Sequence, residues 1–255
     1  MTTIRQIFDS HFHIIDPAFP LVANHGFLPD PFTAEHYLAE VADLPIVAGT
    51  VVSGSFQEFD IGYLRAALAR LGSSFVGVAN VSGQAGDDQL RELADAHVRG
   101  IRFNLYRGGS EDISRLVELG LRAWDVAGLH VEIYLDAADL EALAASIRRL
   151  PRVSIDHLGM TEHHRPTLLR LVDAGLRVKA TGFGRTLLDV RQSLRDIHEA
   201  NPKALMFGTD LPGTRARRPF DRDDIALIGE ALGDAALPGV LHDNAAAFYR
   251  SADRD

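Results

Sequence analysis

The chain has no cysteine among its 255 residues. This absence excludes disulfides, a thiol nucleophile and any zinc site built on thiolates. It is compatible with a reducing compartment, and we expect a cytoplasmic protein. Lysine is nearly absent as well, because 24 of the 26 basic residues are arginine and only Lys179 and Lys203 are lysine. Few steps of lysine chemistry are therefore open to this protein.

Excess positive charge and long apolar runs are also missing. The net charge is −9, which argues against nucleic acid and anionic membranes as partners. No apolar run approaches the roughly 20 residues of a membrane span, and residues 1–7 lack a signal-peptide pattern. The hydrophobic share of 46% is typical of a globular chain. No linker or shift in composition divides the sequence, so we expect a single domain over residues 1–255.

Short apolar runs rich in β-branched residues recur between stretches of helical period, such as Tyr63 to Leu71 and Leu140 to Leu150. Apolar runs in which polar and apolar residues do not strictly alternate are typical of strands buried on both faces. We predict eight strands: Gln6 to Ile14, Ile46 to Val52, Phe75 to Val81, Gly100 to Phe103, Leu129 to Leu135, Arg152 to Ile155, Leu176 to Ala180 and Ala204 to Phe207. Eight strand–helix units in about 250 residues predict an α/β fold of the (β/α)8 TIM-barrel type. An open doubly wound sheet is the alternative, and the lack of G-x-G-x-x-G after strand 1 weakens its dinucleotide-binding form.

The first predicted strand contains two histidines, His11 and His13, spaced so that both face the same way. In a barrel mouth such a pair can hold a metal or donate hydrogen bonds to one oxygen. Asp9 has the same parity, so we expect it to accept the second N–H of a histidine ring. Two purely structural histidines are the competing interpretation of this motif.

Strands 6 and 8 each end at titratable residues, in Ile155-Asp156-His157-Leu158-Gly159 and Gly208-Thr209-Asp210-Leu211-Pro212. Catalytic groups of TIM barrels lie at these carboxyl ends. Asp210 facing histidines can act as a general base on water. A helix N-cap for Asp210 and a packed loop histidine for His157 are the structural alternatives.

Together these motifs identify a resemblance to the amidohydrolase superfamily. The matching pieces are Asp9 to His13, Ile155 to Gly159, Lys179-Ala180-Thr181-Gly182, Gly208 to Pro212 and Asp243-Asn244-Ala245. They follow the order of the amidohydrolase-2 branch and span nearly the whole chain. Within that branch the chain is most similar to the 2-pyrone-4,6-dicarboxylate lactonases and related sugar-lactone hydrolases.

The resemblance implies that Asp210 activates water while His11, His13 and His157 polarise the scissile carbonyl, directly or through a metal. Binuclear relatives bridge their metals with a lysine or glutamate near strand 4, and neither lysine lies there. Metal-dependent relatives commonly place a histidine at the end of strand 5, whereas His130 lies at its start. We therefore expect no cofactor, or at most one divalent metal such as zinc on those three histidines and Asp210.

Candidate substrate-binding residues follow strands 4, 5 and 7. Arg102 and Asn104 share a face at the end of strand 4, and Arg107 follows in the next loop. The resemblance implies that arginines after strands 4 and 7, here Arg102 and Arg185, and a residue after strand 5, here Tyr134, hold substrate carboxylates. Guanidinium pairs with carboxylate through two hydrogen bonds. Arg215, Arg217 and Arg218 follow strand 8, where solvation or pairing with acids is an equally good interpretation.

The leading hypothesis is a hydrolase that opens a small, carboxylated lactone by attack of Asp210-activated water. The alternatives are a zinc-dependent decarboxylase or a lactone isomerase of the same fold, and a barrel that only binds a ligand. The residues leave the identity of the lactone and a homo-oligomeric state open. The proline-containing segment from Asp16 to Phe32 follows strand 1, where a lid over the site and a surface wrap are equally compatible with the sequence.

Overall fold

The computed structural model describes residues 4–250, and its core is an eight-stranded parallel sheet with helices between the strands. The strands are β1 Ile7–Phe12, β2 Ile46–Val52, β3 Phe75–Asn80, β4 Val98–Asn104, β5 His130–Tyr134, β6 Val153–Ile155, β7 Arg177–Ala180 and β8 Leu205–Phe207. The helices are α1 Ala34–Glu40, α2 Gly62–Leu71, α3 Asp87–Asp95, α4 Leu116–Ala127, α5 Leu140–Ile147, α6 Arg165–Asp173, α7 Val190–Ala200, α8 Asp223–Leu232 and α9 Asn244–Tyr249. The predicted TIM barrel and all eight predicted strands are confirmed.

The strands pair in sequence order from β1 to β8, and the barrel closes just beyond β8. There the backbone N–H of Asp210 donates to the carbonyl of His11 at 2.7 Å, and that of His13 donates to the carbonyl of Leu211 at 2.8 Å. A Cβ on Gly208 would lie 2.7 Å from the backbone nitrogen of His11, so only glycine permits this approach. The closure brings the catalytic candidates of β1 and β8 side by side.

The middle of β1 contains a β-bulge between Asp9 and Phe12, where its register against β2 shifts. Phe12 stacks on Tyr37 of α1 at 3.7 Å between ring centroids, and the Asp9 carboxylate accepts from the Tyr37 hydroxyl at 3.0 Å. The side chains of Asp9 and Phe12 therefore both point outward, although two residues, Ser10 and His11, separate them in the sequence. With regular alternation they would point to opposite faces of the sheet. The expectation that Asp9 orders a histidine ring is wrong, because the bulge reverses the alternation on which it relied.

Two apolar clusters hold the barrel together. The larger one lies between the strands and the surrounding helices. The smaller one fills the amino-terminal end of the barrel with Phe8, Val52, Val76, Val78 and Met206, and the α9 residues Ala245, Phe248 and Tyr249 cover it. Within residues 4–250, no single helix has both the length and the apolarity to cross a membrane, and α8 passes that test only when it is joined to the bent segment Asp234–Tyr249.

Candidate active site

The carboxyl ends of the strands surround one pocket, which contains most of the predicted site residues. His13, His157, Arg102, Asn104, Arg107, Tyr134 and Arg185 line it, together with Phe27, Gly54, Ser55, Phe56, Thr214 and Arg215. Phe27 belongs to the segment after β1, and Asn24 of that segment donates to the backbone carbonyl of Arg107 at 3.1 Å. The segment therefore contributes Phe27 to the wall of the pocket and is tied to the loop after β4.

Four side chains converge at the mouth of the barrel, and we call His11, His13, His157 and Asp210 the rim cluster. The Nε2 atoms of His11 and His13 lie 3.8 and 3.7 Å from Oδ1 of Asp210. The rings of His11 and His157 meet edge to face with centroids 4.9 Å apart. The structure thus brings together all four predicted catalytic residues, from three separate strands.

Three buried atoms of the rim cluster form no hydrogen bond among the described residues: His11 Nε2, His157 Nδ1 and Asp210 Oδ1. His11 Nε2 and Asp210 Oδ1 are 3.8 Å apart. Buried polar atoms are normally satisfied, so these two point to a water, a substrate oxygen or an ion beside them. One ligand atom from each of His11, His157 and Asp210 lies within 4.8 Å of the others, so the three residues are also a possible donor set for a single divalent metal ion.

Backbone conformation at the rim is strained at two of these residues. His157 has a φ of 52° and Asp210 a φ of 59°, both in the left-handed region. Side chains other than glycine adopt this region at a cost of roughly 1–3 kcal/mol each, and such strain clusters at functional sites. Of the two side chains, that of His157 lines the pocket.

Burial controls the protonation of the rim. It lowers the pKa of His11 to about 3, and it holds those of His13 and His157 well below their usual range. All three rings are therefore neutral at neutral pH. Burial also raises the pKa of Asp210, an effect that the Arg185 guanidinium opposes. A carboxylate with a raised pKa is better matched to accepting a proton from water.

A second group of charged side chains lies below the rim, and we call Glu132, Asp156 and Lys179 the inner cluster. The Lys179 ammonium is 2.5 Å from Glu132 Oε2 and 3.8 Å from Asp156 Oδ1. It is also 3.2 Å from Nδ1 of His11. All these side chains are fully buried. The inner cluster therefore contacts the rim through the opposite edge of the His11 ring.

Sequence reasoning missed Glu132 and Lys179 as site residues. A usable signal was present, because each interrupts an apolar strand, in His130-Val131-Glu132-Ile133-Tyr134 and Arg177-Val178-Lys179-Ala180. In a barrel whose outer face is covered by helices, a charged residue inside a strand has to point into the interior.

The predicted substrate-binding arginines divide into two kinds. Arg102 donates to the backbone carbonyl of Ser53 at 2.6 Å and to Asp156 Oδ2 at 2.7 Å. Arg185 donates from Nε at 2.7 Å and from Nη2 at 2.5 Å to the same oxygen of Asp210, Oδ2. Both line the pocket, but each is already paired with an internal carboxylate.

Arg107 and Arg215 have no acidic partner among residues 4–250. Arg215 donates from Nη1 to the Asn24 side chain at 2.9 Å and lies over the ring of Phe27, 4.5 Å from its centroid. Burial and the positive charges of Arg107 and Arg185 lower its pKa. Arg218, in contrast, pairs with Asp224 outside the pocket lining. The uncompensated positive charge of the pocket therefore comes from Arg107 and Arg215.

Asn104 and Tyr134 have different surroundings. The Asn104 side chain accepts from the backbone N–H of Arg107 at 3.0 Å and so shapes the loop that presents this arginine. The Tyr134 hydroxyl is buried beside the Arg185 guanidinium. Its ring meets that of His157 edge to face, with centroids 4.8 Å apart. Tyr134 thus places a buried hydroxyl beside Arg185 and the rim cluster.

Comparison with known sequences places this chain among well-defined relatives. The family model described as Amidohydrolase matches residues 8–251. A 2-pyrone-4,6-dicarboxylate hydrolase of Comamonas testosteroni is 31% identical over 171 residues. That match covers 65% of this chain and 54% of the relative, so it spans about half of the relative's length.

Solved structures with the same architecture align over almost the full chain. A protein of Agrobacterium tumefaciens has a TM-score of 0.86 and 23% identity, with 96% of each chain covered. A probable 2-pyrone-4,6-dicarboxylic acid hydrolase of Acinetobacter baumannii, with citric acid bound, has a TM-score of 0.80 and 18% identity. There the alignment covers 95% of this chain and 98% of the other. At these identities the likeness establishes the fold.

Proposed function

Since this chain belongs to the amidohydrolase family, we propose that it hydrolyses a small lactone bearing at least one carboxylate. The single observation that supports this most strongly is the rim cluster. A buried carboxylate and three neutral histidines meet there, and some of their polar atoms have no hydrogen-bond partner among the described residues. The name of the Comamonas testosteroni relative favours the same substrate class.

In the proposed reaction Asp210 acts as the general base. Arg185 occupies Oδ2, so Oδ1 is the oxygen free to take a proton from water. The water oxygen attacks the lactone carbonyl carbon and its proton passes to Asp210. The carbonyl electrons move to oxygen, where His11 and His157 stabilise the negative charge. On collapse of the intermediate the ring C–O bond breaks, and the leaving oxygen takes the proton back from Asp210, which yields the open-chain acid.

His13 has a fixed role in this arrangement. Its Nδ1 lies 2.7 Å from the carbonyl oxygen of Val52, which can only accept a hydrogen bond. The proton is therefore on Nδ1, and Nε2 presents a lone pair toward Asp210. His13 is suited to hold the attacking water by accepting its second hydrogen, and His11 and His157 remain to face the carbonyl oxygen.

The unpaired arginines support an anionic substrate. Arg107 and Arg215 line the pocket with no carboxylate of the protein beside them. A charge-assisted hydrogen bond from either one to a substrate carboxylate is worth about 1.5–3 kcal/mol. Arg102 and Arg185 add to the positive field but are paired, so we assign them to holding Asp156 and Asp210 as well as to lining the pocket.

A mononuclear metal is the one cofactor that the rim cluster fits, through His11, His157 and Asp210. An ion bound there would act as a Lewis acid on a substrate oxygen. We propose that lactone hydrolysis proceeds without it, because Arg185 already neutralises Asp210 with two hydrogen bonds. The same donor set is what favours the second candidate, a metal-dependent decarboxylase.

A panel of lactones, with and without a carboxylate, tests the proposal. Each compound is incubated with the wild type and with Asp210→Asn, and both ring opening and CO2 release are measured. We expect ring opening of at least one carboxylated lactone by the wild type only. CO2 release from a carboxylic acid that depends on added zinc, with no lactone opened, would establish the decarboxylase instead.

A further inference from the structure

The inner cluster has the geometry of a cation site whose centre is taken by a side chain. His11 Nδ1 lies 3.4 Å from Asp156 Oδ1 and 3.7 Å from Glu132 Oε1. Ligand atoms about 2.0–2.1 Å from a tetrahedral zinc ion are roughly 3.4 Å from each other. One nitrogen and two carboxylate oxygens therefore have nearly the spacing of metal ligands.

The ammonium of Lys179 is the cation that these three groups share. Its distances of 2.5 Å to Glu132, 3.2 Å to His11 and 3.8 Å to Asp156 place it beside all of them. Glu132 Oε1 and Asp156 Oδ1, the two oxygens nearest to His11, accept no hydrogen bond among the described residues. Glu132 Oε1 also lies 3.8 Å from Nε of Arg102, so this guanidinium borders the same group of side chains.

From this arrangement we infer that the Lys179 ammonium is a resident cation in a latent metal site, and that it fixes the proton position of His11. An ammonium has only donors, so His11 Nδ1 has to accept from it. The proton of this neutral ring is then on Nε2, the atom that faces the rim cluster. A metal ion bound at the inner cluster would have to occupy the position of the Lys179 ammonium and replace its positive charge.

The arrangement deepens the proposed function, on which its catalytic part rests. An Nε2–H directed into the rim is a hydrogen-bond donor for the carbonyl oxygen as negative charge develops there. Lys179 would act as a positioning residue, since it reaches the rim only through His11. The latent metal site does not depend on any lactone activity, so the two ideas can fail separately.

Metal titration of Lys179→Met tests the latent site. Methionine keeps most of the side-chain volume and removes the charge, which exposes His11, Glu132 and Asp156 to an added ion. After exhaustive chelation, Zn2+ is titrated and counted for the wild type and the variant. Lys203→Met is the matched control, because it removes the other, exposed lysine. We expect Lys179→Met to bind one more Zn2+ per chain than the wild type or the control.

Thermal unfolding provides a second readout for a variant that is weakly folded. Zn2+ at about 100 times its Kd should raise the Tm of Lys179→Met by roughly 5–10 °C more than it raises that of the wild type. Adding Glu132→Gln should abolish the extra ion and the extra shift. Equal stoichiometry and equal shifts in wild type and Lys179→Met would overturn the latent site.

The proton position of His11 can be measured in the wild type, with no variant that has to fold without Lys179. Spectra of 15N-labelled histidine distinguish the two ring nitrogens, and His11→Asn assigns the signals. A neutral ring with its proton on Nε2 is the expected result. A proton on Nδ1 would overturn the role given to Lys179, whatever substrate the protein acts on.

Discussion

Arg185 binds Asp210 through one oxygen only, with Nε at 2.7 Å and Nη2 at 2.5 Å from Oδ2. The other oxygen, Oδ1, lies 3.8 and 3.7 Å from the Nε2 atoms of His11 and His13. The ion pair therefore neutralises the carboxylate without using the oxygen that would take a proton. It also holds the side chain in one orientation, on a strained backbone with a φ of 59°.

Asp210→Asn should reduce kcat for lactone opening by roughly 10²–10⁴-fold, the usual contribution of a general base. The amide oxygen can still accept from Arg185, so we expect the circular dichroism spectrum to be unchanged. Asp189→Asn is the matched control, because Asp189 caps α7 and asparagine caps helices equally well. Near-full turnover by Asp210→Asn would show that Asp210 is not the base.

Arg102→Met should destabilise the fold. The change leaves Asp156 buried without the partner that now donates at 2.7 Å, and breaking a buried ion pair in this way costs about 3–5 kcal/mol. Arg107→Met breaks no ion pair among the described residues and serves as the comparison. Urea unfolding of both variants checks the difference. Equal stability of Arg102→Met and wild type would mean that Arg102 is free for substrate alone.

Arg215→Met should lower kcat/KM for a carboxylated lactone roughly ten- to a hundredfold and leave a neutral lactone unaffected. Arg215→Lys should restore this only partly, since lysine lacks the planar fork. Asn24→Ala separates charge from loop anchoring, because it removes the side-chain partner of Arg215 Nη1 but keeps the guanidinium and its bond to the Asn24 backbone carbonyl. If Arg215→Met and Asn24→Ala each slow the carboxylated and the neutral lactone equally, Arg215 acts by holding the segment after β1.

His130 should make the protein less stable in acid. Burial holds its pKa well below 6.5 in the fold, whereas the unfolded chain has the ordinary value. As pH falls below 6.5 the unfolded state takes up a proton that the native state does not, so stability is lost at about 1.4 kcal/mol per pH unit from this group.

The difference in unfolding free energy between His130→Leu and wild type isolates this contribution. Urea unfolding at pH 8, 7, 6 and 5 should show the difference constant above pH 7 and shifting in favour of His130→Leu below 6.5. His130 is outside the pocket, against Phe248 and Tyr249. A difference that does not change with pH would mean that the folded ring titrates normally.

Most of the barrel and the rim cluster could be predicted from the sequence. Uniform apolar runs mark strands covered on both faces, and β2 was predicted with its observed bounds, Ile46–Val52. His11, His13, His157 and Asp210 follow from their positions at strand ends. Because the strands of a parallel barrel all end at the same rim, residues at their carboxyl ends lie close together.

The parts that could not be predicted depend on departures from regular periodicity or on partners distant in sequence. The bulge in β1 turns Asp9 outward, and no local residue pattern marks it. The pairing of Arg102 with Asp156 and of Arg185 with Asp210 joins residues 54 and 25 positions apart. Spacing could place these arginines at the pocket, but it could not show that their charge is already compensated.

Turnover by metal-stripped protein shows whether opening of a carboxylated lactone requires a metal ion. The wild type is chelated to well below one ion per chain, verified by elemental analysis. The initial rate of ring opening is then measured on a carboxylated lactone and on its neutral counterpart. We expect the carboxylated lactone to be opened at the rate seen before chelation, and faster than the neutral one. Loss of this activity with the metal, and its recovery on addition of stoichiometric zinc, would contradict this expectation.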